Sequence, residues 1–444
     1  MPRGCAGSRS GHHRRLATLR HSDLIDEWYW FLRAGAGARP GHAAYLGVTA
    51  PAKARTEVQV GSDISTDVIV VGAGVVGASC AYHLARAGLQ VTVVESFGGP
   101  AQGSTGRSFA SVRSQWADPL NIELSWRSIC QFRSFVSDHG IDVGYRPSGY
   151  LLLVPDAAWQ AQLTAVDLQR EHGVPVDVLD VAAAACITLF TAAGIAGATW
   201  GPADGVVDPH LATAAYLAMA RAAGAQVLFR HPVTAIDADA ESGSWTVTAG
   251  ERTLHGQHVV NAAGGWAGKL AALADLTVPV VHSRRNIYAT APCALAAAVP
   301  MTIDLGTGVY LRSEGPRLLF GGARPDQADG YDVSVDWPWM ESVLQIAVER
   351  FPWLARLPLD RAACWAGTYE NSPDHHGILG ADPAAPTWIN ACGFSGHGLM
   401  QAPEIGRLAA EQVTHGAITS IDASALRIER FAAAAHPSRA GLVF

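Results

Sequence analysis

Nowhere in the 444 residues do two cysteines stand as C-x-x-C, and the seven present (Cys5, Cys80, Cys130, Cys186, Cys293, Cys364 and Cys392) are scattered. That spacing fits neither a zinc site nor a disulfide framework, so a reducing cytoplasm is the expected home. Positive charge is scarce as well: 32 lysines and arginines against 39 aspartates and glutamates give a net charge of −7. Such a balance leaves no electrostatic footprint for nucleic acid or an anionic membrane. Long apolar runs are missing. The uncharged stretch 181–203 is built from Ala, Gly and Thr with five strongly apolar side chains. Those five contribute about −2 kcal/mol on an insertion scale, which its polar residues offset, so it reads as a buried or loop segment and no membrane span is expected. No solenoid-type repeat occurs. With 49% hydrophobic and 16% charged residues, the chain has an ordinary globular composition and enough length for two domains.

Residues 1–64 stand apart. No acidic residue precedes Ser22, while Arg3, Arg9, Arg14, Arg15 and Arg20 recur, a bias like that of a transit peptide but without a clear cleavage site. Ser22 to Arg33 is a candidate short helix carrying Trp28, Tyr29 and Trp30, and 34–64 is rich in Gly, Ala and Pro. A poorly ordered extension is expected there.

The most informative segment lies just beyond that extension. Asp67 to Gly77 reads DVIVVGAGVVG, a β-branched run breaking into G-x-G-x-x-G, and Glu95 closes a second run, VTVVE. Val68 to Val71 suit a buried parallel strand. Gly72 allows the tight turn, Gly74 lets the backbone approach a pyrophosphate, and Gly77 lets the next helix pack closely on the sheet. That helix opens at Val75 and Val76, with its N-terminal N–H groups and dipole toward the phosphates. It buries Val76, Cys80, Ala81 and Leu84 and stops at Gly88. Glu95, 18 residues beyond Gly77, stands where a carboxylate accepts hydrogen bonds from ribose hydroxyls, and it would repel a 2′-phosphate. NADP is therefore disfavoured.

The chain then alternates between two styles. Residues 65–148, 206–277 and 364–430 read as an interrupted α/β dinucleotide domain, and 149–205 and 278–363 as a mostly antiparallel domain inserted in pieces, with 431–444 as a tail. Helices are expected near Pro119–His139, Ala157–His172, Asp208–Ala223 and Asp336–Phe351, and strands at YLLLV, NIYAT and GVYLR. The fold class is α/β, α+β overall.

Three further segments bear on the cofactor: GSTGRS (103–108), NAAGGWAG (261–268) and GFSGHGLMQAPEIGRLAAEQV (393–413). In the first, Ser104, Thr105, Gly106, Arg107 and Ser108 offer hydroxyls, N–H groups and a cation to phosphates. In the second, Ala263, Gly264 and Trp266 let a strand end pass a planar ligand. In the third, Gly393, Gly396, His397, Gly398, Leu399 and Met400 feed a helix whose N-terminus can stabilise a reduced ring.

From about Ser65 to Val413 this set resembles the FAD-dependent amine oxidoreductases of the D-amino acid oxidase superfamily, nearest the sarcosine oxidase and dimethylglycine dehydrogenase branch. GFSGHG and WAGTYENSPD (365–374) are the most specific pieces. The resemblance implies a Rossmann-like FAD-binding domain with an inserted substrate domain. It implies adenine near the Val233 backbone and flavin against the last glycine loop. Only one dinucleotide fingerprint is present, so the substrate itself should reduce the flavin, by hydride transfer to N5 from a carbon beside nitrogen. The imine product then hydrolyses.

The same resemblance makes Arg113, in SFASVRSQW, the cation for a substrate carboxylate. His397 reads either as a group that polarises the flavin or the bound amine or as a turn histidine whose backbone does the work, and Tyr288 and Tyr310, on substrate-domain strands, read either as lining the pocket over the flavin or as ordinary core residues. Tyr369 occupies the position where glycine oxidase relatives carry an arginine, which lowers a D-amino acid or glycine reading. Met400 replaces the lysine that often follows GFSGHGF, and the two lysines, Lys53 and Lys269, sit on no matching motif. The electron acceptor is accordingly O2 or another, unidentified, species. Gly367 stands where covalently flavinylated enzymes have cysteine, and Cys364 reads as a strand cysteine, so noncovalent FAD is expected. Arg284 and Arg285 read as structural or surface residues, and Asp374, His375 and His376 as a loop, with no metal site. The expected reaction is oxidation of a small secondary or tertiary amino acid such as sarcosine. The alternatives are D-amino acid or proline-type oxidation and a non-catalytic flavoprotein with an assembly role.

Overall fold

The computed structural model describes residues 63–432 apart from 240, 294 and 296. Nearly all of the expected N-terminal extension, with its Ser22–Arg33 helix, Lys53 and Cys5, and nearly all of the tail lie outside the described residues; the last residue of the extension, Ile64, begins a strand. Val68 to Val71 form the end of a strand, Ile64–Val71, that pairs in parallel on both sides, with Val91–Glu95 and Arg252–Asn261. A strand covered on both faces needs a continuous apolar run, and this one splits its side chains between two cores. Val68 and Val70 face helices Val75–Arg86, Pro119–His139, Pro209–Ala222 and Gly398–His415, whereas Ile69 and Val71 face Trp245, Val247, Leu270 and Trp388. Gln226–Phe229 and Ala385–Cys392 extend the parallel array outward. Ile378–Asp382 closes one edge antiparallel, and Trp245–Ala249 with Val233–Ala238 branches from Arg252–Asn261.

The second sheet runs Trp365–Asn371, Val281–Ala289, Arg317–Gly322, Val309–Glu314, Met301–Asp304, Tyr150–Pro155, Ile195–Gly201 and Asp177–Leu179. Its neighbours are antiparallel except Met301–Asp304 with Tyr150–Pro155. Helix Trp337–Arg350 buries Val343 and Ala347 against it. The chain passes repeatedly between the sheets, and Trp365–Asn371 still belongs to the second. Both layers expected from the sequence, the α/β one and the mostly antiparallel one, are present. The uncharged stretch 181–203 becomes a short helix, Val181–Ile187, and the strand Ile195–Gly201. Among the described residues, no helix is long and apolar enough to cross a membrane.

Two helices aim the site. Val75–Arg86 and Gly398–His415 cross so closely that a Cβ on Gly406 would lie 2.1 Å from the Ser79 hydroxyl. The second is also tied to Pro119–His139. Gln401 Nε2 donates to Asn121 Oδ1 at 2.8 Å, and Ser128 Oγ both donates to the Gln401 carbonyl and accepts from the Glu404 N–H. Asp118 caps Pro119–His139 through the Asn121 N–H at 2.9 Å, with Pro119 in the first turn and Gly140 left-handed at its end.

Candidate active site

Three cavities adjoin one another. The outermost, about 400 Å³, lies beyond the carboxyl ends of the parallel strands, where Val71, Val94 and Ala262 converge. This is the crevice in which open α/β sheets bind ligands. Gly72, Gly74, Val75, Val76, Glu95, Ser104, Thr105, Val233, Ala263, Gly264 and Trp266 all line it. Gly72 has φ +109°, and a Cβ there would stand 2.4 Å from the Ala262 carbonyl oxygen. The turn must therefore be glycine. Gly77 lines no part of the cleft; it lets the helix approach the turn. Glu95 braces that same turn: Oε2 accepts from the Ala73 N–H at 2.7 Å, and Oε1 from the Phe97 N–H at 2.9 Å and the Ser96 hydroxyl at 3.2 Å. Of roughly four acceptor positions on a carboxylate, one stays open for a ribose hydroxyl. Thr105 Oγ1 accepts from the Val75 N–H at 3.2 Å, so that helix N–H is already partnered within the chain. Lys269, which matched no motif, lines the cleft too. No sequence signal marked it, because its position depends on where the Ala267–Ala272 helix lands.

The middle cavity, about 90 Å³, shares Val75, Val76, Ser104, Thr105 and Glu370 with the cleft. The innermost, about 70 Å³, shares Ser108, Phe109, Tyr310, Tyr369, Gly396 and Leu399 with the middle one, and adds Arg113, His397 and Met400. Arg113 is 4% exposed, and its guanidinium lies 3.9 Å from the Trp116 ring centroid. Burial, with Arg113 next, holds the His397 imidazole well below its ordinary pKa, so it is neutral near pH 7. Its ring packs edge-on to Trp116 at 4.3 Å. A cation, a neutral imidazole and three tyrosines, Tyr150, Tyr310 and Tyr369, thus converge on one small chamber.

The structure revises several expectations. Tyr288 lines none of these cavities; it is fully buried in the second sheet's core, packs on Phe320 and donates its hydroxyl to the Asp336 carbonyl at 2.8 Å. Tyr310 alone of that pair reaches the chamber. Arg107 lies on the middle cavity rather than the outer cleft, with Nη1 donating to the Ala366 carbonyl at 3.3 Å. Gly106 and Gly393 line none of the three cavities. Gly106 is pressed against the Ala101 carbonyl and His210 instead. Arg285, expected in a structural or surface role, lies on the middle cavity with its guanidinium 4.6 Å from the Tyr369 ring centroid. Arg284 is ion-paired with Asp332 and Asp336, and Asp374 with Arg430.

Asp204 is the residue that sequence reading missed most plainly. Fully buried, it accepts from the Ser114 N–H at 2.9 Å, the Ser114 hydroxyl at 2.7 Å and Gln115 Nε2 at 3.1 Å, and so pins the segment that carries Arg113. Burial pushes its carboxyl up to about 6 against those bonds and the Arg113 charge. A folded-state pKa above the unfolded value gives stability that is complete below about pH 4 and drains away as pH rises through 6. Asp204→Asn cannot ionise. Its unfolding free energy relative to wild type should therefore rise from about pH 4 and level off above about pH 6 in urea titrations. Lost hydrogen-bond quality shifts that difference equally at every pH, so a flat difference would contradict the assignment.

FAD fits these residues. A turn with no Cβ and Lys269 in the cleft wall suit a phosphate-bearing ligand, and one open Glu95 acceptor position and a Glu370 oxygen buried without a partner among the described residues suit hydroxyl donors along it. Adjoining cavities suit its length. The family described as DAO, FAD dependent oxidoreductase, matches residues 67–412. FAD-dependent oxidoreductase domain-containing protein 1 of Bos taurus is 30% identical over 416 residues, 82% of this chain and 85% of that protein. Mitochondrial sarcosine dehydrogenase of Homo sapiens is 26% identical over 369 residues, 79% of this chain but 40% of that protein. Among solved structures, L-proline dehydrogenase from P. horikoshii superposes with a TM-score of 0.77 at 28% identity, covering 84% of this chain and 99% of that one. Because the family match spans the glycine turn, the Arg113 segment and the last glycine loop together, the chain belongs to the DAO family of FAD-dependent oxidoreductases.

Proposed function

We propose that this oxidoreductase oxidises the C–N bond of a small secondary or tertiary α-amino acid, sarcosine or a close relative. The observation that carries the reading is Arg113, a buried guanidinium on the wall of a chamber of about 70 Å³ that also holds His397 and Met400. A buried cation recognises a carboxylate with a charge-assisted, planar pair of hydrogen bonds. Neutral His397 offers a ring nitrogen that can accept a hydrogen bond from the substrate amine and orient it. Tyr310 and Tyr369, with Met301, Ile303 and Met400, close the chamber around a short carbon skeleton. FAD, when bound, supplies the acceptor for the hydride lost beside nitrogen.

The names of the relatives support this class. Sarcosine dehydrogenase and L-proline dehydrogenase are named for α-amino acids whose nitrogen carries a second carbon. The second of these favours a cyclic secondary amine as the competing reading. In anaerobic titrations, sarcosine, dimethylglycine or proline should bleach the bound flavin, and glycine and D-alanine should not. A flavin that none of the three N-substituted compounds reduces would overturn the reading. Repeating the titration in air separates O2 from another acceptor, a question raised by Met400 in place of lysine.

The cofactor is held noncovalently in this reading. Gly367 leaves no room for a side chain, since its Cβ would stand 2.8 Å from that of Arg107, and the Cys364 thiol is engaged with the Asp360 carbonyl at 3.3 Å. Acid precipitation should therefore leave all flavin in the supernatant; flavin remaining on the pellet would show a covalent link.

A further inference from the structure

Glu370 sits near the end of Trp365–Asn371, on the wall common to the outer cleft and the middle cavity. Its Oε2 is buried with no hydrogen-bond partner among the described residues. Glycines keep the approach to it open: a Cβ on Gly264 would lie 3.5 Å from Oε2, and one on Gly398 3.5 Å from Oε1. Burial is the dominant influence on this carboxyl and pushes it up to about 7, opposed by the Phe394 and Gly393 backbone N–H groups. Nearby His282 is no counter-ion, because burial lowers it to about 4 and its Nδ1 is bonded to the Thr368 hydroxyl at 3.0 Å. A buried oxygen left without a donor costs about 1–3 kcal/mol, so this position favours a ligand that brings hydroxyl donors to it.

Resting on the reading that the adjoining cavities hold FAD, we propose that Glu370 hydrogen-bonds the polyol chain joining the adenosine diphosphate half of the cofactor to its flavin ring. The placement follows from what lines each side. The glycine turn, Glu95 and Val233 lie on the outer cleft alone or at its inner lip, whereas the last glycine loop lies on the inner cavities alone. The shared wall therefore faces the middle of an extended dinucleotide, where the donors are hydroxyls.

ADP and FAD separate this contact from general support of the cleft. Glu370→Ala apoprotein should bind FAD about thirtyfold more weakly than wild type, by flavin fluorescence quenching. ADP, which ends before the polyol, should bind within twofold of wild type by calorimetry. Glu370→Gln keeps the size and a neutral hydrogen bond and should fall between the two for FAD. The proposal is overturned if both variants bind FAD as wild type does, or if either weakens ADP as much as FAD. If Ala fails to fold, the Gln variant decides: a loss confined to FAD supports the contact, and unchanged FAD affinity overturns it. Wild-type protein that binds neither nucleotide would sink the cavity reading itself, whereas binding of both with unaltered variants sinks only the Glu370 contact.

Discussion

Arg113→Met should lower kcat/KM for the preferred N-substituted α-amino acid by about a thousandfold and leave the flavin content unchanged. Removing one partner of a buried charge pair costs about 3–5 kcal/mol, because the other charge then stays in a low-dielectric site without compensation. Met keeps most of the volume over the Trp116 ring, so packing at that 3.9 Å contact survives the change. Arg113→Lys should recover little, because an ammonium cannot present the planar fork. A carboxylate-free amine discriminates further: its slow oxidation should be the same in wild type and variant. Steady-state kinetics with unaltered kcat/KM for the amino acid would remove Arg113 from the substrate site.

The other large effect lies at Gly77. A methyl group there would stand 2.0 Å from the Gly72 carbonyl oxygen and 3.2 Å from the Ala262 Cβ. The obstacle is backbone, and Gly72 cannot retreat, being itself left-handed and hard against the Ala262 carbonyl. Gly77→Ala should cost about 3 kcal/mol or more in urea unfolding and yield protein without flavin. Gly88→Ala is the matched control. Gly88 also has positive φ (+93°), but nothing lies within 4 Å of its Cβ position, so only the backbone penalty of about 1–2 kcal/mol applies. Flavin retained by Gly77→Ala, or equal costs at the two glycines, would contradict this account of the turn.

How much of this was legible in the chain differs from one element to the next. The turn at Gly72, the helix at Val75 and the carboxylate at Glu95 are all close in sequence. Their periodicity and spacing carry their geometry directly. Helix Pro119–His139 announces itself through Asp118, Pro119 and Gly140. Arg113 stands out only by resemblance, whereas the last glycine loop is legible in its own residues and takes its flavin from the resemblance. Residue type alone did not separate Tyr288 from Tyr310, two tyrosines on antiparallel strands of one sheet whose inward or outward direction depends on register. The same ambiguity hid Arg285, which pairs with Gly367 and so meets the cavity instead of solvent.

By itself the sequence determined a dinucleotide turn and an α/β layer interrupted by a mostly antiparallel sheet, because local backbone demands and apolar periodicity are written in consecutive residues; that the dinucleotide is FAD came through resemblance to a family. Only the tertiary structure decided which side chains share a cavity. Asp204 reaches Ser114 across 90 residues, Glu370 stands between the outer cleft and the middle cavity, and Lys269 arrives at the cleft wall from a separate helix. Burial and neighbouring charge, which set what those groups can do, arise from distant segments brought together in the folded chain.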